Sequence, residues 1–128
     1  MNSFGGTKLR YAELDYLKKI TGNNASLIKE FIQEALGLTK QVIPEINMAL
    51  DLQDFNKIGY LSHQLKSSMK IFNSDQLVML LNDMESLSDD AGQHFKLHNL
   101  VSQLNEITAD WENELRQEFT ALSFPISC

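Results

Sequence analysis

Apolar side chains recur along almost the whole chain at the three- and four-residue spacing of helices buried on one face. The first stretch predicts a short helix from about Tyr11 to Ile20, with Leu14 and Leu17 inward. Thr21-Gly22-Asn23 ends it, because glycine and asparagine tolerate the left-handed turn that closes a helix. Asn24 then caps a long helix whose stripe is Ile28, Phe31, Ile32, Ala35, Leu38, Val42, Ile46 and Ala49. Pro44 lies inside that stripe, which keeps its phase across the proline, so a kink is expected rather than a break. Leu52-Gln53 is a short connection, and Asp54 caps a third helix running to about Phe72. Asn73-Ser74 breaks that helix, and Ser74 caps a fourth with Leu77, Leu80, Leu81, Met84 and Leu87 inward.

Ser88-Asp89-Asp90-Ala91-Gly92 reads as a turn before a final helix bearing Leu97, Leu100, Val101, Leu104, Ile107, Trp111 and Leu115. No internal repeat and no convincing strand interrupts this series. Short connections between long amphipathic helices predict an all-α fold. The expected form is an antiparallel up-and-down four-helix bundle with a short extra N-terminal helix. The bundle is assigned to residues 11–122, between a flexible N-terminus at 1–10 and a frayed C-terminal tail at 123–128.

Composition narrows the class. With 128 residues, 43% hydrophobic and 22% charged, the chain has room for one core and is neither a disordered tail nor a linker. It has no run long and apolar enough for a membrane span and no apolar leader at its start, so a cytoplasmic location is expected. One cysteine, Cys128, can form neither an internal disulfide nor a thiolate metal cage. The net charge of -6 is uneven: residues 1–53 are neutral, 54–73 carry +2, and 74–128 carry -8. Such a chain repels nucleic acid, whose backbone requires a broad basic face. What remains is a small basic island in an acidic protein.

That island surrounds a histidine. On a helical wheel advancing roughly 100° per residue, Ile58, Leu61, Leu65 and Phe72 fall nearly opposite His63. Asn56, Gly59, Tyr60, Lys66, Ser67 and Lys70 lie within about 60° of it. His63 therefore faces solvent, between the small residues Gly59 and Ser67. Mid-helix glycine costs about 1 kcal/mol relative to alanine, so Gly59 is expected to clear space for something that approaches the ring. An exposed neutral imidazole beside a cation suits nucleophilic attack on a phosphoryl group, with Lys66 stabilising the charge acquired. A lone solvated histidine is the plainer reading of the wheel.

The local sequence tips the balance. His63-Gln64-Leu65-Lys66-Ser67-Ser68, with Phe72 and Asn73 following, resembles the histidine-containing phosphotransfer (HPt) domain of multistep phosphorelays. Ile43-Pro44-Glu45-Ile46, Ala49-Leu50, Asp54 and the opening Leu14-Asp15-Tyr16-Leu17 extend the likeness over about residues 11–90. Three positions depart from the family pattern. Ser67 and Asn73 replace glycines, and Ser62 replaces a frequent alanine. Serine is small enough to preserve docking, with narrower partner tolerance, and asparagine accepts a left-handed backbone.

The resemblance implies a phosphocarrier that takes a phosphoryl group on His63 from a receiver phosphoaspartate and passes it to another receiver. Its partners would be response-regulator receivers or a hybrid sensor kinase. Gly59, Tyr60, Ser67, Lys70 and Ile71 would border the docking face, although Tyr60 and Ile71 are equally readable as boundary residues. No cofactor of its own is expected, Mg²⁺ belonging to the receiver. No Gly-rich nucleotide loop is present, so ATP-dependent self-phosphorylation is not expected. A monomer is expected. The alternatives are a non-phosphorylated helical adaptor that binds receivers, or the HPt part of a larger sensor kinase.

Other signals weigh less. His94 and His98 are spaced to share a helix face and, with Asp90, could hold a divalent metal. The fourth ligand is missing, and a partly packed His94 with an exposed His98 is preferred; no metal site is assigned. Trp111 is expected to plug the core, and Met48, Met69, Met79 and Met84 to fill gaps in it.

Overall fold

The computed structural model describes residues 10–123, which form α1 (Asp15–Ile20), α2 (Ala25–Asp51), α3 (Phe55–Ile71), α4 (Asp75–Ser88) and α5 (Leu97–Ser123). A 3₁₀ segment, Ala91–Lys96, precedes α5, and no strand occurs among the described residues. The long helices close a ring: α3 packs on α2 and α4, and α5 packs on α4 and α2. This is an all-α helical bundle.

Local chemistry sets most boundaries. The Asn24 side chain accepts from Leu27 N–H at 3.1 Å and that of Asp54 from Lys57 N–H at 3.3 Å, each satisfying a free donor of a first turn. Gly22, Asn23, Gln53 and Asn73 hold positive φ at the helix junctions. The stop at Thr21-Gly22-Asn23 and the left-handed Asn73 are as the sequence predicts. α2 runs unbroken across Pro44, so the break is excluded.

Four expectations require correction. The first helix begins at Asp15 rather than Tyr11 because the preceding backbone is bound elsewhere. The Glu114 carboxylate on α5 accepts from the N–H groups of Arg10, Tyr11 and Ala12 at 2.9–3.1 Å. Glu13 N–H donates to the Phe72 carbonyl at 2.7 Å. Ser74 stands at the N-cap of α4 but makes no cap bond, since its hydroxyl accepts from Trp111 Nε1–H at 2.8 Å. The turn after Ser88 is shorter than expected, and residues 91–96 wind as a 3₁₀ helix. Met69 and Met84 are buried as expected, but Met48 and Met79 are exposed on the outer faces of α2 and α4. The flexible segment at 1–10 and the tail at 123–128 lie, apart from Arg10 and Ser123, outside the described residues.

The core runs between the four long helices. Ile58, Leu61, Leu65, Met69 and Phe72 from α3 and its cap meet Leu77, Leu81 and Met84 from α4. Trp111 is fully buried and meets Phe72 edge-on, with ring centroids 6.0 Å apart. The buried stripe of α3 is thus the one the wheel places opposite His63. Phe31, Leu38, Leu87, Leu100 and Ile107 are only half-buried at its margin.

Candidate functional site

The inward stripe of α3 turns His63 outward, leaving 67% of its side chain exposed. It does not stand alone. Its Nδ1 lies 2.9 Å from Oε2 of Glu85 on α4. Lys66, one turn on, donates from Nζ to Glu85 Oε1 at 2.8 Å and to Asn82 Oδ1 at 2.6 Å. The Lys66 side chain is only 14% exposed, so its aliphatic stem lies against the bundle while its head bridges two helices.

These contacts fix the proton on the ring. Lys66, foremost, and His63 behind it donate to the Glu85 carboxyl and hold its pKa below the ordinary value, against partial desolvation. An ionised carboxylate only accepts hydrogen bonds, so Nδ1 carries a hydrogen, and in the neutral ring the lone pair is the one on Nε2. Nε2 has no protein partner among the described residues. The site therefore presents one in-plane nucleophilic nitrogen to solvent, backed by a carboxylate that can balance positive charge on the ring.

The expected neighbours separate into two groups. Tyr60, Ser67 and Lys70 are exposed on the His63 side of α3, and Ile71 is half-buried at its edge. Gly59 is buried, contrary to its expected clearing role. Its missing side chain makes room for Ser88 of α4, within the protein. Ser62 is wholly buried beside His63. Glu85, Asn82 and Ser88 escaped the sequence reading. Asn82 and Glu85, spaced i, i+3 beside the buried Leu81 and Met84, were the signal available on α4.

The remaining histidines are arranged as preferred above. His94 is half-buried, its ring stacked on Phe55 with centroids 3.9 Å apart, and Nε2 lies 2.9 Å from the Ser88 carbonyl oxygen. It belongs to the 3₁₀ segment, whereas the exposed His98 belongs to α5.

A family model, Hpt domain, matches residues 26–123 of the chain. The chain belongs to the Hpt family. Comparison with curated proteins and with solved structures gives no significant match. Hpt domains are phosphocarriers of phosphorelays that interact with the receiver domains of two-component systems. The matched span includes α3 and α4, and so the whole of the His63–Glu85–Lys66 constellation. No helix among the described residues of this Hpt domain is long and apolar enough to cross a membrane.

Proposed function

We propose that this Hpt domain accepts a phosphoryl group on Nε2 of His63 from a receiver phosphoaspartate and delivers it to a second receiver. The observation that carries the reading is the Nδ1–Glu85 hydrogen bond, which leaves Nε2 as the free nucleophile on an exposed ring. The Nε2 lone pair forms the N–P bond as the P–O bond to the aspartate breaks. The aspartate carboxylate departs with the electron pair. The Nδ1 proton stays on the ring, and the imidazolium charge that develops is balanced by Glu85.

Lys66 holds Glu85 and Asn82 in place and adds its charge to the site. Tyr60, Ser67, Lys70 and Ile71 form the docking border, and the receiver brings Mg²⁺ and most of the transition-state stabilisation. The chain lacks a Gly-rich nucleotide loop, which supports a carrier without ATP-dependent kinase activity. We further propose a cytoplasmic monomer with up-and-down, antiparallel helices. The pairing of α3 with α4 supports that arrangement, since partners fall from Glu85 to Asn82 as His63 gives way to Lys66.

The test is incubation of the wild-type protein and His63→Gln with phosphorylated receiver domains. The variant is expected to take up no phosphate while keeping its circular dichroism and melting temperature, because an exposed side chain contributes little to stability. Undiminished uptake by the variant overturns the assignment.

A further inference from the structure

Gly59 and Ser88 mark a close approach of α3 and α4. A Cβ at position 59 would overlap Ser88 Oγ and stand 3.2 Å from Ser88 Cβ. Ser88 is 3% exposed, and its hydroxyl is engaged, donating to the Glu85 carbonyl at 2.7 Å. Turning that hydroxyl away would break this bond and still leave the two β-carbons crowded. A side chain at position 59 must therefore cost Ser88 that bond and displace its Cβ by a few tenths of an ångström.

The position of this contact gives it a consequence for chemistry. Gly59 lies four residues before His63, roughly 40° away around α3. Ser88 lies three residues after Glu85 and is bonded to that residue's own backbone. The Gly59–Ser88 and His63–Glu85 contacts are successive rungs between the same two helices. The Nδ1–Oε2 bond spans 2.9 Å, within the roughly 2.7–3.2 Å that N–H···O hydrogen bonds occupy. A few tenths of an ångström added at the lower rung carries the upper one to the end of that range, where the bond no longer holds the ring to one tautomer.

We infer that Gly59, through its contact with Ser88, is a positioning residue that holds His63 Nδ1 on Glu85 and so keeps Nε2 as the reactive nitrogen. The inference rests on the proposed role of His63, but its primary readout does not require phosphotransfer. The imidazole ¹⁵N shifts of His63 report which nitrogen carries hydrogen in the full chain. For Gly59→Ala, the Nδ1–H signature is expected to give way to a mixture of tautomers, and receiver-to-histidine transfer to slow about tenfold. Gly59→Ala combined with Ser88→Gly relieves the overlap and is expected to restore both the signature and the rate.

A Gly59→Ala protein that keeps the wild-type signature overturns the inference. If Gly59→Ala does not fold, the double variant decides alone: a folded protein with the Nδ1–H form supports the inference, and one with a mixed tautomer overturns it. Transfer that persists in His63→Gln would defeat the functional reading and leave the tautomer result standing.

Discussion

The two seams that flank the core use polar groups in opposite ways. Between α2 and α5, Asn47 and Asn105 exchange reciprocal amide hydrogen bonds at 3.0 Å, and Asn47 also donates to the Ile43 carbonyl. Thr39 and Thr108 return their buried hydroxyls to the carbonyls of Ala35 and Leu104 in their own helices. These four side chains are neutral, and their bonding is closed on itself. Between α3 and α4, Lys66 and Glu85 form a partly exposed ion pair, and Nε2 of His63 is left without a protein partner among the described residues. The first seam holds register. The second leaves one nitrogen open.

Substitutions at the two seams should therefore separate stability from transfer. The largest effect is expected at Glu85. Glu85→Ala removes the partner that fixes the His63 tautomer, and transfer from a phosphorylated receiver should slow about a hundredfold. Its melting temperature should move little, since a partly exposed ion pair whose lysine keeps Asn82 as a partner contributes about 1 kcal/mol or less. Asn47→Ala should do the reverse. It leaves the half-buried Asn105 amide unpaired, so denaturant titration should show a loss of about 1–2 kcal/mol. Its transfer rate should remain at wild type. If Glu85→Ala unfolds the domain or Asn47→Ala slows transfer, the division between seams fails.

Smaller effects sharpen the same comparison. Ser67→Tyr adds bulk one turn beyond His63 on the exposed face and should weaken receiver affinity by about tenfold, or roughly 1.4 kcal/mol. Titration of a receiver against the folded variant measures this, and unchanged affinity would mean that the partner approaches over another face. Ser62 Oγ is buried without a hydrogen-bond partner among the described residues. Ser62→Ala should thus stabilise the domain by about 0.5–1 kcal/mol in denaturant titration, leaving transfer intact.

The pH dependence carries the smallest signal. The Glu85 carboxyl is held below its ordinary value of 4.5, so its stabilising contribution is complete above that pH. The contribution is lost as the pH falls through the lower folded-state value. Glu85→Ala should correspondingly flatten the acid limb of the stability profile.

How legible this was from sequence follows the reach of each interaction. The exposure of His63 was readable because one helix decides it: Ile58, Leu61, Leu65 and Phe72 are buried, and the opposite face is left to water. The caps at Asn24 and Asp54 were readable for the same reason, each reaching only three residues ahead. Glu85 was not, since its partner lies 22 residues away and nothing in α3 names it. Gly59 shows the subtler failure. A missing side chain says that something comes close, not from which side; the visitor is Ser88 of the same chain rather than a partner. Ser74 has the composition of a cap, yet its hydroxyl is claimed by Trp111, 37 residues on. The start of α1 was likewise set by Glu114, more than a hundred residues distant.

The most direct test of the central claim is to phosphorylate the wild-type protein from a phosphorylated receiver and locate the phosphate by NMR of the labelled imidazole rings. Acid-labile phosphate is expected on His63 alone, bonded to Nε2, with Nδ1 still hydrogen-bonded to Glu85. Phosphate on Nδ1 of His63, or on His94 or His98, would contradict it.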